Sequence, residues 1–158
     1  MNQPGGAKEN YQRCANRFLE LKSTRSENVL LRRNVLHAHS ILKIVNADGY
    51  HRGIRLFNAR EFYDAHEVWE DVWRESEGME KQFLQGLIQA AVAFHHHSTG
   101  NLAGAYSLME RGRKNLAACP QEFGGINVNE LLESLSHWRT ALACGAATPA
   151  HPVIVRVV

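Results

Sequence analysis

The sequence predicts an all-α fold: a compact bundle of antiparallel helices joined by short links, preceded by a helical N-terminal extension. Three observations carry this. Apolar residues recur at helical spacing through most of the chain after residue 50. No stretch there alternates with the period of two that marks a half-buried strand. The breaks between periodic stretches are short and hold Gly, Pro and Asn. A chain of 158 residues, 44% apolar and 22% charged, is long enough to bury one ordinary core.

Residues 1–9 form a polar tail, and 10–23 and 27–46 are helix candidates with an irregular apolar stripe. Asp48-Gly49 reads as a break. A segment near 51–58 leads into a helix over 60–76, and Gly78 separates it from a second helix over 79–98. Thr99-Gly100-Asn101 is a stop and restart, with Gly100 suited to the residue just past a helix end. A third helix over 102–118 ends before Pro120. Residues 120–128 are a loop, and Asn127 or Asn129 caps a fourth helix ending near Cys144. From Gly145 a tail with two prolines ends in VIVRVV, which fits a docked strand or a loose end. The expected organisation is an extension over 1–49, a helical domain over 50–144 and a tail over 145–158.

Composition narrows the function. The net charge is +2 and the basic residues are scattered, whereas a nucleic-acid surface needs clustered Lys and Arg. The short runs Arg32-Arg33 and Arg111, Arg113, Lys114 read as solvated helix faces. No apolar run is long enough to span a bilayer, and the first 25 residues lack the apolar core of a secretion signal. Cys14, Cys119 and Cys144 are odd in number, far apart and without a CxxC pair. This argues against a disulfide framework or zinc ribbon and fits a reducing compartment, hence a cytoplasmic protein. No phosphate-binding glycine loop and no HExxH motif are present.

At 100° per residue, Phe62, Ala65, Val68, Trp69, Val72 and Trp73 fill one side of the 60–76 helix. His66 stands at the edge of that arc, and Glu70 lies about 40° further round, one turn along. The 79–98 helix is apolar almost all round, as a central helix is. Gln82, Gln85, Gln89 and His96 nonetheless share one stripe within about 60°. Antiparallel pairing across the short 76–78 turn sets Glu70 near Gln85 and His66 near Gln89. Helices pack at roughly 8–10 Å, so these side chains can meet in a polar seam.

Two readings of the seam stay open. One is a hydrogen-bonded network, His66–Glu70–Gln85–Gln89, that fixes helix register or holds a small ligand or a protein partner. The other is a divalent metal held by His66 and Glu70, with Glu67 as a candidate general base and His96 contributing from the next helix, in the manner of bundle metal sites. His96 lies ~10 Å beyond Gln89 at 1.5 Å per residue, which weakens its share in such a site. Adjacent residues of His95-His96-His97 point 100° apart and do not converge on one ion. Leu131, Leu135, Trp138 and Leu142 form a stripe on the fourth helix that serves either the internal core or self-association into a homo-oligomer.

Residues 57–73, FNAREFYDAHEVWEDVW, and 83–89, FLQGLIQ, followed by Ala90–Ala93, His96, Gly100-Asn101 and Gly104-Ala105, resemble two blocks of a small all-helical family, domain of unknown function 309. The resemblance covers about residues 50–143. It implies a compact helical domain and a cytoplasmic setting, and it supplies no activity. It marks Asn58, His66, Glu67, Glu70, Trp73, Gln85, Gln89 and His96 as motif positions, which adds Asn58 and Trp73 to the candidate ligand contacts.

Overall fold

The computed structural model describes residues 44–157. The helices expected over 10–23 and 27–46 lie outside that span, except 44–46, which form a turn. The described residues fold as five helices and one two-stranded hairpin, so the all-α expectation holds. They are α1 (Ala47–Asn58), α2 (Phe62–Glu75), α3 (Gly78–Ser98), α4 (Leu102–Ala117), β1 (Glu122–Phe123), β2 (Ile126–Asn127) and α5 (Val128–Cys144).

Asp48-Gly49 is the start of a helix rather than a break. The Asn46 carboxamide oxygen accepts from the Gly49 N–H at 3.0 Å, so the pair sits in the capped first turn of α1. α1 closes with two bonds, Arg60 N–H to Phe57 O at 3.0 Å and Glu61 N–H to Leu56 O at 2.9 Å. This is a Schellman turn. Arg60 takes the left-handed position, φ 66°, that glycine usually fills. The same turn recurs at the end of α3, with Gly100 in the left-handed position as expected.

α3 is the central helix, with nine buried residues from Phe83 to Phe94. α4 comes against it where Gly86 meets Gly112. A Cβ on Gly112 would lie 3.0 Å from Gly86 O and 3.2 Å from Ala90 N, so the two backbones nearly touch. On the other side α2 buries Phe62, Ala65, Trp69 and Val72. The indole N–H of buried Trp69 donates to Tyr50 O at 3.1 Å, which joins α2 to α1 without an orphaned donor.

The loop before α5 holds the hairpin. Gly124 and Gly125 have φ of 60° and 71°, the pair of positive values that a two-residue turn of this hand needs. Asn127 caps α5, accepting from Asn129 and Glu130 N–H at 3.1 and 3.3 Å. The α5 stripe points inward: Leu131, Leu135 and Trp138 are buried, and Leu142 packs against the core. Arg113 is no solvated residue either. It donates to Ser136 Oγ at 3.0 Å and pairs with Glu110, which also binds Arg139, so it joins α4 to α5.

Candidate functional site

The site begins at the last residue of α1. Asn58 Oδ1 accepts from the Ile154 N–H at 2.8 Å, and Asn58 Nδ2 donates to the Ile154 C=O at 2.9 Å. One carboxamide therefore satisfies both backbone groups of one residue, as a neighbouring strand would. Ile154 belongs to an extended strap over 150–157 that lies across the helical domain.

Further bonds hold the strap on both sides of Ile154. Upstream, the Trp138 indole N–H donates to Ala150 O at 3.0 Å. Downstream, Arg156 bridges antiparallel to Ile126, and Val157 N–H donates to Gly125 O at 2.8 Å. Pro152 and Ile154 are buried, whereas Val153 and Val155 are 65% and 63% exposed. Period two is the strand pattern, with one face on the core and one in water.

The ring of His151 enters the aromatic core, with its centroid 5.3 Å from Phe62, 5.2 Å from Phe94 and 4.8 Å from Trp138. Burial pushes its pKa below the usual histidine value, and the charges of Arg60 and His97 push the same way. His151 also forms part of the wall of an open cleft of about 340 Å³, with Arg60, Phe62, Tyr63, His95 and His97.

The expected seam does not close. Gln89 accepts from Asn115 Nδ2 at 2.9 Å, so it turns toward α4 rather than toward His66. The physical reason is the Gly86–Gly112 approach, which brings a second helix against the glutamine side of α3. Glu70 is 43% exposed and pairs with Arg74 on its own helix at 3.6 Å. His66 Nδ1 bonds to the Tyr63 carbonyl of its own turn. Gln85 is half-buried, with no side-chain hydrogen bond among the described residues. His96 belongs to the α3–α4 turn, where its Nδ1 meets Asn101 Nδ2 at 3.2 Å while Asn101 Oδ1 caps α4 through Gly104 N–H.

Glu67 lies in solvent, and the Tyr63 hydroxyl donates to it. That bond and the Glu67 charge raise the Tyr63 pKa. Trp73 packs at the edge of the core with Lys81 Nζ 4.4 Å above its ring. Among the described residues no group of three or more His, Cys, Asp and Glu converges as a metal site would require, so His66 and Glu70 stand as two donors without a third. Of the sequence candidates, Asn58 has the bonded partner most distant in the chain, 96 positions away.

The matched sequence runs from α1 into α4. Over residues 50–108 the chain matches a family model. That family is the Domain of unknown function (DUF309). The match ends inside α4, short of the 143 expected. An "Uncharacterized protein" of Aquifex aeolicus (strain VF5) is 37% identical over 76 residues, which are 48% of this chain and 23% of that protein. "Uncharacterized protein YpuF" of Bacillus subtilis (strain 168) is 38% identical over 60 residues, 37% of this chain and 34% of that protein. The chain thus spans 23% and 34% of the length of these two relatives. Asn58, Phe62 and Phe94 lie inside the DUF309 match, while Trp138 and the strap lie outside it.

The sequence reading missed Ile154 as the partner of Asn58, and His151 and Trp138 as parts of the same site. A signal was present in the short β-branched run of HPVIVRV, with proline near its start, but nothing local says which face receives it. No helix among the described residues is long and apolar enough to cross a membrane.

Proposed function

We propose that this chain is a partner-binding helical module whose DUF309 region, completed by α5 and the hairpin, holds an extended polypeptide segment. Its own strap fills that place here. The observation that carries this reading is the pair of hydrogen bonds between Asn58 and Ile154, which recognises backbone and not side chain. Addition of an extended segment through main-chain bonds, with alternate side chains in pockets, is a general mode of peptide recognition. The receiving residues Asn58, Phe62 and Phe94 belong to the matched region and the occupant does not. The face and the strap are therefore distinct parts of the chain, and the strap is one segment that suits the face.

The test uses the full chain with Ile154→Asp, which vacates the place by putting a carboxylate where an aliphatic anchor belongs. A fluorescent peptide of residues 149–158, PAHPVIVRVV, is titrated against it. Binding to Ile154→Asp, with none to the double variant Asn58→Ala/Ile154→Asp, is expected. Wild type should bind the peptide far more weakly, because a tethered strap competes at millimolar effective concentration. No binding to Ile154→Asp, with helical content intact by circular dichroism, contradicts the proposal.

A further inference from the structure

We infer that the partner of this face is another protein offering an extended segment of the form planar ring–Pro–any residue–aliphatic, and that the strap imitates it. The inference rests on the partner-binding reading above and adds the chemistry of the partner. Each position of the docked strap shows what the face selects.

The first position is the ring. His151 stands within 5.3 Å of three aromatic rings, Phe62, Phe94 and Trp138, on α2, α3 and α5. The surroundings select a flat ring and oppose a positive charge, since Arg60 and His97 lie close by. The second position is Pro152, which is buried. Proline has no N–H, so it goes into an apolar site without leaving a donor unpaired. It also biases the residue before it to extended backbone, the geometry that carries the ring inward.

The third position, Val153, is exposed and selects nothing. The fourth, Ile154, is 5% exposed and is the anchor, with Asn58 fixing its register by two backbone bonds. A shift by one residue would put Val153 or Val155 in the anchor place and turn the ring into water. Beyond the anchor, Arg156 and Val157 pair with Ile126 and Gly125 through backbone groups, so a partner can continue as a third strand on the hairpin whatever its side chains.

Release of the strap needs no unfolding of the helices. α5 ends at Gly145 in a left-handed cap, and Ala147–Pro149 are exposed before the first strap bond at Ala150. An external segment of the same pattern can therefore exchange with the strap.

The experiment titrates full-chain Ile154→Asp with labelled PAHPVIVRVV and with single changes in the peptide. We expect His151→Ala in the peptide to weaken binding at least tenfold, and His151→Phe to retain it. Ile154→Asp in the peptide should abolish binding, while Val153→Lys and Val155→Lys should stay within about twofold of the parent. The pattern is overturned if Val153→Lys harms binding as much as Ile154→Asp, or if His151→Ala is without effect while the parent binds. Failure of the parent peptide itself sinks the underlying partner-binding reading, a separate outcome. Ile154→Ala in the full chain serves as a second receiver should the aspartate variant lose its helical content.

Discussion

Asn58→Ala removes the acceptor for Ile154 N–H and the donor for Ile154 C=O, at 2.8 and 2.9 Å. Each bond contributes about 1 kcal/mol net, so strap docking should weaken by about 2 kcal/mol. At 1.4 kcal/mol per factor of ten, the open population should rise about 30-fold. The Ile154 amide is a poor reporter, because the substitution deletes its acceptor. Two others, remote from the change, are better: the Val157 amide bonded to Gly125 O and the Trp138 indole N–H bonded to Ala150 O. Native-state hydrogen exchange should show both accelerating together by about the same factor, because the strap opens as one unit. Buried amides of α3 should keep their protection. Unchanged exchange at Val157 and Trp138 would refute the reasoning, since the carboxamide would then contribute nothing to docking. Acceleration across α3 as well would show that Asn58 supports the whole fold rather than the strap.

Other outcomes follow from the same structure. The His151 pKa lies below the usual 6.5, so the folded state binds fewer protons than the unfolded chain between those two values. Its stabilising contribution is present above the ordinary histidine value and is lost as pH falls toward the lowered one. The protection factor of the Trp138 indole N–H should therefore fall on acidification, and His151→Phe should flatten that dependence. Glu67→Gln removes the carboxylate that holds the Tyr63 pKa up, so spectrophotometric titration should show Tyr63 ionising closer to the ordinary value near 10, with the unfolding midpoint almost unchanged. Gly86→Ala raises helix propensity by about 1 kcal/mol but sets a methyl 2.7 Å from Leu116 Cγ and 3.2 Å from Gly112 O. Overpacking wins, and urea denaturation should show a net loss of about 1–3 kcal/mol.

Helix order was legible because its signals are local. The α2 arc and the nearly all-round apolar α3 identify themselves by period, and Gly100 and Asn127 mark ends by backbone chemistry. Asp48-Gly49 misled because the same pair suits both a break and a capped first turn, and the deciding residue was Asn46, two positions upstream. The polar seam was drawn by pairing α3 with α2 alone. Gln89 went instead to Asn115 on α4, an approach allowed by Gly86 and Gly112, which are 26 residues apart in sequence and silent in any periodicity. Asn58 was legible only as part of the FN motif. Its partner, Ile154, is 96 positions away, and a short β-branched run does not say where it docks.

The most direct measurement is an NMR titration of nitrogen-15 labelled, full-chain Ile154→Asp with unlabelled PAHPVIVRVV. The Asn58 side-chain amide and the Trp138 indole should shift together and saturate with one affinity, while α4 signals facing solvent stay in place. A saturating titration that moves neither Asn58 nor Trp138 would contradict the claim that this face receives an extended segment.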